Sequence, residues 1–413
     1  MDLHGNYFEN NKAISFLNYM IFCQTQNSKG NLRNHIIIFY VVFVQLNSIF
    51  IFLTYPLFSL QCSLFQSGTI TGNLCSPLCL REEIQSVTCY SFRTTRRVRF
   101  RGEWKGTKIV FKAPKQTSPF HWYDNGKITY PTEKQFISTL KAVIKNKLNI
   151  DLPLSTIMRI TKKNFNTKDS DIRTRHKEID SISTLILDNE FLILSVLPGN
   201  DIFPRLIGTC GPYYATEYIE PVWMRSSLLA LTDSETEWIQ RLQISAQILE
   251  LLKRLATEMH EPIHLCDVEL EHFGFFEDES IRYVDLEHVY PKSIVNKMFR
   301  KMPCQENEDC DIYDCRGKCN TATKTCSHGV ANDNYQVVCE KLFLGWRRSN
   351  TVIVPGLLMS QHTPSDLAAV LRECANPRHE IGGPRRSPEE SVTKRMYELI
   401  VEIEQTVVSQ ISI

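Results

Sequence analysis

Two carboxylates and one lysine, far apart along the chain, are the residues with the clearest chemical potential. Asp267 lies in a loop after a long helical segment, Asp285 follows a short apolar stretch, and Lys112 ends an earlier apolar strand. One carboxylate can accept or orient the proton of an attacking hydroxyl, a second can hold Mg²⁺ against phosphates, and a lysine can reach those phosphates. The ordered set therefore predicts phosphoryl transfer, although each residue taken alone is also typical of a solvated surface charge.

A glycine-containing hairpin is predicted to position Lys112. Apolar and charged residues alternate from residue 97, Gly102 and Gly106 bracket a turn, and Ile109–Phe111 form a short apolar strand. Glycine lets backbone N–H groups approach a phosphate closely, so both glycines are candidate nucleotide-binding residues. An ordinary β-hairpin explains the same pattern, and this alternative stays open.

A helix is predicted over residues 131–149, with Thr132 as its cap and apolar residues at helical spacing. Glu133 is the acidic residue nearest its start. We expect Glu133 either to pair with Lys112 or to interact favourably with the helix dipole.

The run Glu217-Tyr218-Ile219, which follows a predicted strand pair, is typical of a connection between two lobes. Its exposed backbone could hold an adenine, which makes Glu217 a candidate cofactor-binding residue. An ordinary strand end explains this run equally well.

The order of the next elements is informative. A helix is predicted over Thr232–Met259, followed by a loop that contains Asp267 and His272, a short hairpin, and Asp285 after an apolar strand. A long helix, a loop with Asp, a hairpin and a second Asp is the order of parts in a protein kinase.

Composition restricts the function classes. The chain has 413 residues, of which 43% are hydrophobic and 23% charged, and 47 Lys and Arg against 46 Asp and Glu give a net charge of +1. This composition excludes a wholly disordered or collagen-like chain. The near-neutral balance argues against a nucleic-acid binder, and we expect no nucleic-acid partner.

An apolar run at residues 36–60 predicts a membrane anchor. No Asp, Glu, Lys or Arg lies between Arg33 and Arg81. A helix of this run would be about 37 Å long, enough to cross a hydrocarbon core of about 30 Å. Lys29 and Arg33 precede the run, so the positive-inside bias keeps the N-terminus cytosolic and predicts a type II topology. A buried, β-rich core segment is the alternative.

Clustered cysteines predict disulfides in an oxidising compartment. The clusters are Cys75, Cys79 and Cys89, and then Cys304, Cys310, Cys315, Cys319, Cys326 and Cys339. Structural zinc is the alternative, since Cys75-x₃-Cys79 and Cys315-x₃-Cys319 have suitable spacing. Cys210 and Cys374 are either disulfide partners or small core residues.

Several segments together resemble one family. They are GEWKGTKIVFK, FPRLIGTCGPYYATEYIEP, HLCDVELEHFG, the VDLEHV run followed by DCDIYDCRGKCN, and GNLCSPLC nearer the N-terminus. They are similar to the divergent protein kinase domain family, also called family with sequence similarity sixty-nine. The resemblance covers residues 68–405 and implies a cysteine-rich type II membrane protein of the endoplasmic reticulum.

The resemblance also implies roles for individual residues. Lys112 would be the strand lysine for the nucleotide, Asp267 the catalytic-loop base, and Asp285 the metal-binding aspartate. Gly102 and Gly106 would shape the phosphate loop. The implied cofactors are ATP with Mg²⁺ or Mn²⁺.

The catalytic loop departs from the kinase pattern at two positions. Cys266 stands where kinases usually have Arg, and His272 stands where they have the Asn that holds a second metal. Imidazole is a poor ligand for Mg²⁺, although His272 remains a candidate metal ligand. Two functions are therefore possible from the sequence. The protein is either an active phosphotransferase or a catalytically inactive pseudokinase that acts as a lumenal scaffold. A disulfide-bonded receptor ectodomain is a third class.

We therefore predict an α+β protein with a two-lobed, protein-kinase-like fold, in which Lys112, Asp267 and Asp285 converge on one cleft. The predicted parts are a cytosolic tail (1–35), an anchor (36–60), a lumenal stem (61–95), an N-lobe (96–220), and a C-lobe (221–413) with a cysteine-rich insert (304–339). The expected location is the endoplasmic reticulum membrane, and the expected partner is a lumenal protein or glycan acceptor.

Overall fold

The structure, a computed structural model, describes residues 60–89, 99–114, 122–124, 127–161, 172–222, 233–327, 329–348, 351–380 and 383–411. These residues combine helices and strands in two compact units. The first unit takes in the chain up to 140, 153–198 and 205–218, and the second takes in 141–152, 199–204 and 219 onward.

The N-terminal predictions fall almost entirely outside this part of the chain. Of the predicted anchor 36–60, only Leu60 is among the described residues, and the predicted tail 1–35 is not. Among the residues that are described, none of the helices combines the length and the apolar character that a membrane crossing requires. The anchor and its topology stay predictions.

An antiparallel sheet of five strands, in the order β1-β2-β3-β7-β6, is the centre of the first unit. Alternation along β3 places Ile109 and Phe111 in an apolar cluster with Ile84 and Phe100, so Lys112 lies on the opposite face. The strands of this unit are β1 Ile84–Cys89, β2 Arg99–Trp104, β3 Thr107–Lys112, β4 Trp122–Asp124, β5 Lys127–Thr129, β6 Leu206–Cys210 and β7 Tyr213–Glu217.

Two disulfides fasten the segment before the sheet. Cys75 bonds Cys210 at the end of β6, and Cys62 bonds Cys79. The short helix α1 (Cys75–Cys79) lies between these bonds. Cys75 and Cys210 are far apart in sequence. Their disulfide therefore restricts the unfolded chain and stabilises the packing of the α1 segment against the sheet.

The helix predicted over 131–149 is confirmed as α2 (Glu133–Leu148), which begins in the first unit and ends in the second. Thr132 caps it, since its hydroxyl accepts from the Gln135 N–H while its own N–H donates to the Gln135 side chain. The other helices of the first unit are α3 Leu154–Ile160, α4 Ile172–Leu185 and α5 Asn189–Val196.

The second unit is built around helix α6 (Glu235–Thr257), within the helix predicted over 232–259. A capping box between Ser234 and Glu237 satisfies its first N–H groups. Its inner face buries Leu242, Ile248 and Leu252. The remaining helices are α7 Lys292–Phe299, α8 Asn334–Val338, α9 Ser365–Ala375 and α10 Glu390–Ile411, with a π-helical turn at Cys339–Phe343.

Short strands hold the loop that contains Asp267. Strands β9 (Ile263–Leu265) and β12 (Val289–Pro291) pair with each other, and β10 (Phe273–Phe275) lies between β8 (Glu220–Pro221) and β11 (Ile281–Tyr283). The predicted order of helix, loop and hairpin is therefore present. Strands β17 (Gly345–Arg348) and β18 (Thr351–Pro355) form a later hairpin.

The cysteine-rich insert, residues 304–339, contains two small hairpins and helix α8, and disulfides fasten it internally and to other segments. Its strands are β13 Asp311–Ile312, β14 Cys315–Arg316, β15 Lys318–Asn320 and β16 Thr325–Ser327. The bonds that involve it are Cys304–Cys319, Cys310–Cys326, Cys266–Cys315 and Cys339–Cys374. No free thiol occurs among the cysteines whose side chains the structure describes, so the predicted disulfides are confirmed and the zinc alternative for these cysteines is wrong.

Candidate functional site

Lys112 ends β3 and is almost completely buried. In the ladder it lies opposite Arg99 of β2 and Tyr214 of β7, so these three side chains share one face of the sheet. A buried ammonium group is costly unless a carboxylate compensates its charge. The structure supplies that carboxylate from helix α5.

Glu190, in the first turn of α5, pairs with Lys112. The two side chains are 0% and 4% exposed, and Glu190 Oε1 accepts from Lys112 Nζ. Asp188 caps α5 by accepting from the Phe191 N–H, and it also accepts from the Tyr214 hydroxyl at 3.2 Å. The helix is therefore held against the sheet by residues on both sides of the ion pair.

Glu133, a sequence candidate for pairing with Lys112, is bound by a different residue. Arg175 of α4 donates to both of its oxygens, from Nε at 2.6 Å and from Nη2 at 3.0 Å. Glu133 begins α2, and α4 passes close enough to supply this guanidinium. The sequence did not identify Glu190 as the partner of Lys112. The residues around Glu133 in α2 contain no signal that would favour either glutamate as that partner.

A sequence signal for Glu190 does exist. Asp188 before an apolar run, with an acidic residue in the first turn, is typical of a helix start. Asp188-Asn189-Glu190 has that pattern, so a helix beginning there would have made Glu190 a candidate.

The predicted hinge residue Glu217 is also buried, and its carboxylate is hydrogen-bonded. Its carboxylate accepts from the Arg205 backbone N–H at 2.8 Å, and the Arg205 Nε lies 3.7 Å away. The next residue, Tyr218, donates its N–H to the Lys108 carbonyl. A contact between Glu217 and adenine stays a prediction.

The local structure requires glycine at both positions of the predicted phosphate loop, but for a different reason at each. Gly106 has φ +76°, and with Lys105 at φ +52° it forms the two-residue turn of the β2–β3 hairpin. Gly102 lies within β2, where a Cβ would come 3.2 Å from Ile84. Gly102 therefore permits close packing against β1, and a phosphate contact for either glycine stays a prediction.

In the second unit, the backbone at Asp267 is fixed by two donors. Its carbonyl oxygen accepts from the Tyr283 hydroxyl at 2.6 Å and from His272 Nδ1 at 2.9 Å. The Asp267 side chain itself is half-buried. The loop thus holds the main chain firmly while the carboxylate keeps access to solvent, as a general base requires.

Three contacts from the cysteine-rich insert hold the same loop. Cys266 is bonded to Cys315, and the Val268 N–H donates to Asp314 Oδ2 at 2.7 Å. The Asp314 N–H in turn donates to the Cys266 carbonyl. Asp314 is a positioning residue that the sequence did not reveal, because it lies 46 residues from the loop that it supports.

His272 and Asp285 lie next to each other. His272 Nε2 is 3.8 Å from Asp285 Oδ2, and both side chains are buried. A carbonyl oxygen only accepts, so Nδ1 donates to Asp267, and Nε2 is the ring nitrogen that lies beside the carboxylate of Asp285. This nitrogen and oxygen donor pair fits Mn²⁺ or Zn²⁺ better than Mg²⁺.

The carboxylates of this region act on their neighbours. Burial raises the pKa of Tyr283 well above its ordinary value, and the charges of Asp285 and Asp267 raise it further. Tyr283 therefore stays protonated and able to donate to the Asp267 carbonyl. Burial also raises the pKa of Glu269, and Asp267 and Glu271 add to the effect.

A search for metal ligands gives a second, unrelated cluster. Among the described residues, one group of three or more candidate ligand side chains lies close together, formed by Cys304, Cys310 and Cys319. All three are in disulfides and so cannot offer thiolates. Asp285 and His272 stay predicted cation ligands.

Each unit thus contains one part of the residue set that the sequence predicts for phosphoryl transfer. The first has a buried lysine compensated by glutamate, and the second has a loop aspartate and a neighbouring Asp–His pair. The convergence of Lys112 with Asp267 and Asp285 stays a prediction.

Comparisons with solved structures give low similarity. The complex of Rv3197 with erythromycin from Mycobacterium tuberculosis is 13% identical over 79% of this chain and 75% of that chain, with a TM-score of 0.26. The apo GRMZM2G135359 pseudokinase is 15% identical over 77% of this chain and 91% of that chain, with a TM-score of 0.29.

Family models give a specific result. A model described as the protein-kinase domain of FAM69 matches residues 182–377, which include Glu190, Asp267, His272 and Asp285. A model described as the N-terminal cysteine-rich ER region of FAM69 matches residues 31–163. Because the two matches together span most of the chain, and because both describe one family, this divergent kinase-like protein belongs to the FAM69 family.

Proposed function

We propose that this protein is a phosphotransferase that uses ATP and a divalent cation to phosphorylate a hydroxyl group. The observation that carries the proposal is the buried pair of Lys112 and Glu190. A buried ion pair gives little net stability compared with apolar residues of the same size. A nucleotide-binding role accounts for its presence, since kinases hold their strand lysine with a helix glutamate.

The proposed reaction assigns one role to each residue. Lys112 binds phosphate oxygens of ATP, and Asp267 accepts the proton of the acceptor hydroxyl. The bond between the acceptor oxygen and the γ-phosphorus forms, the bond between that phosphorus and the β–γ bridging oxygen breaks, and ADP leaves with the electron pair. The fixed carbonyl of Asp267 orients its carboxylate for this transfer.

Asp285 and His272 are the residues that would hold the cation. When bound, such an ion would neutralise the negative charge of the ATP phosphates. An imidazole nitrogen beside a carboxylate is a donor set that supports Mn²⁺ as the preferred ion. The Asp314 contact and the Cys266–Cys315 bond keep the loop in place whether or not the ion is present.

We also place the protein in the endoplasmic reticulum, as a type II membrane protein anchored by residues 36–60. The six disulfides among the described residues support an oxidising compartment, and the description of the N-terminal family model includes the ER. The acceptor would then be a lumenal protein or glycan.

Thermal unfolding of the full-length protein in detergent tests nucleotide binding. With ATP at a hundredfold excess over its dissociation constant, stability should rise by about 2.7 kcal/mol. Mn²⁺ should support a larger shift than Mg²⁺. Glu190→Gln should abolish the shift, whereas Glu133→Gln, which changes a carboxylate bound elsewhere, should keep it. Equal shifts in the two variants would refute the role of Glu190.

A specific observation favours a second function, that of an inactive lumenal binding module. His272 occupies the place where kinases have a metal-binding Asn, and one of its two ring nitrogens is engaged in a hydrogen bond to the Asp267 carbonyl. ATP binding without any transfer or hydrolysis would support this alternative. If His272→Asn then gains Mg²⁺-dependent hydrolysis, the histidine is the cause of the inactivity; hydrolysis by the unmodified protein would exclude the alternative.

A further inference from the structure

A cavity of about 600 Å³ lies in the second unit, away from the residues assigned to phosphoryl transfer. It is lined by the cysteine-rich insert and by the segment that precedes α10, through Lys318, Gly329, Ala331, Arg385, Arg386 and Ser387. Its volume is within the range of small-ligand sites. Among the six described residues that line it, three are cationic and none is acidic.

Arg385 is the anchor of this cavity. The residue is 5% exposed, and its Nη1 donates to Asp311 and, at 2.7 Å, to the Gly317 carbonyl. Its Nη2 is buried, and in the part of the chain that the structure describes it has no hydrogen-bond partner. The guanidinium is thus held rigidly by one nitrogen while the other retains two donors.

The other cations complete the charge pattern. Lys318 and Arg386 are exposed, so they reach the cavity from its solvent side. Asp311 compensates one of the three positive charges.

We propose that this cavity binds a phosphate or sulfate monoester carried on a small polar group such as a sugar. A planar guanidinium with free donors recognises tetrahedral oxyanions through paired hydrogen bonds, and lysine adds a point charge. The cavity is larger than an inorganic anion, so an ester with its carrier occupies it better than the free ion. This site is independent of the proposed phosphotransferase function.

Calorimetry on the full-length protein tests the proposal with three probes, namely glucose 6-phosphate, glucose 6-sulfate and glucose. We expect at least one ester to bind and glucose not to bind. Preference for one ester identifies the phosphate or the sulfate as the recognised group. Higher salt should weaken binding, because the contacts are charged.

Paired variants locate the site. Lys318→Gln with Arg386→Gln should weaken ester binding about tenfold or more. Arg300→Gln with Lys301→Gln removes the same number of exposed charges from the same unit and should leave binding unchanged.

Arg385→Lys keeps the charge but removes the guanidinium donors, and should weaken binding if the variant folds. Because the surface double variant decides the question without touching a buried residue, the test does not depend on that folding. No binding of either ester at about 10 mM, or equal loss in the two double variants, would each overturn the proposal.

Discussion

Removal of one partner from the Lys112–Glu190 pair should destabilise the first unit strongly. Glu190→Gln leaves the ammonium of Lys112 in a site where the two side chains are 4% and 0% exposed. Breaking a buried pair in this way costs about 3–5 kcal/mol, because the remaining charge stays desolvated. Lys112→Met should cost a similar amount, since it leaves the carboxylate of Glu190 buried.

The double variant separates this reason from a general loss of packing. When both charges are removed, no uncompensated charge remains, so the double variant should be more stable than the sum of the single effects predicts. Glu133→Gln is the matched control. Its carboxylate is 34% exposed and pairs with Arg175 near the surface, where the loss should be about 1 kcal/mol or less.

Hydrogen exchange measured by mass spectrometry is the suitable assay, because a chain with two units need not unfold in one step. Peptides from β3 and α5 should exchange faster in each single variant and partly recover in the double variant. If Glu190→Gln alters this exchange no more than Glu133→Gln does, or if the single effects simply add, the reasoning from burial is wrong.

Three further predictions concern other parts of the fold. Burial, with Lys292 nearby, lowers the pKa of His264 from 6.5 to about 4. The stability that comes from keeping His264 neutral in the folded protein is fully present above the unfolded pKa and is lost as the pH falls towards 4. Stability should therefore drop by about 2 kcal/mol between about pH 7.5 and pH 5, and His264→Gln should remove that part of the slope in urea denaturation. Replacing Cys266 and Cys315 together by Ala opens a bond that spans 49 residues and should cost about 4 kcal/mol, with faster exchange in the catalytic loop; unchanged exchange would contradict its role as a clamp. Gly106→Ala should cost about 1 kcal/mol in thermal unfolding from backbone strain alone, since a Cβ there meets no atom within 4 Å; a neutral result would contradict the strain.

Local features of the fold were predictable because their physical causes are local. Helix α2 was predicted from its spacing of apolar residues and from the Thr132 cap, and the structure has both. The order of α6, the Asp267 loop, the β10–β11 hairpin and Asp285 was likewise readable along the chain. In each case the deciding interactions join residues only a few positions apart.

Interactions between distant segments were not predictable in the same way. Lys112 and Glu190 are 78 residues apart, and several glutamates in the chain were equally plausible from charge alone. The sequence likewise could not choose among the possible pairings of its cysteines. Asp314, which lies 46 residues from Val268, accepts a hydrogen bond from the Val268 N–H, and no local pattern predicted this contact.

By itself, the sequence determined the presence of a kinase-like set of residues, their order, and a cysteine content suited to an oxidising compartment. Only the tertiary structure decided which carboxylate compensates Lys112, which cysteine is bonded next to Asp267, and which nitrogen of His272 faces Asp285. Periodicity and capping record the forces within one element. Burial decides the rest, because a charge or polar group removed from water must find its partner on whichever distant segment packs against it.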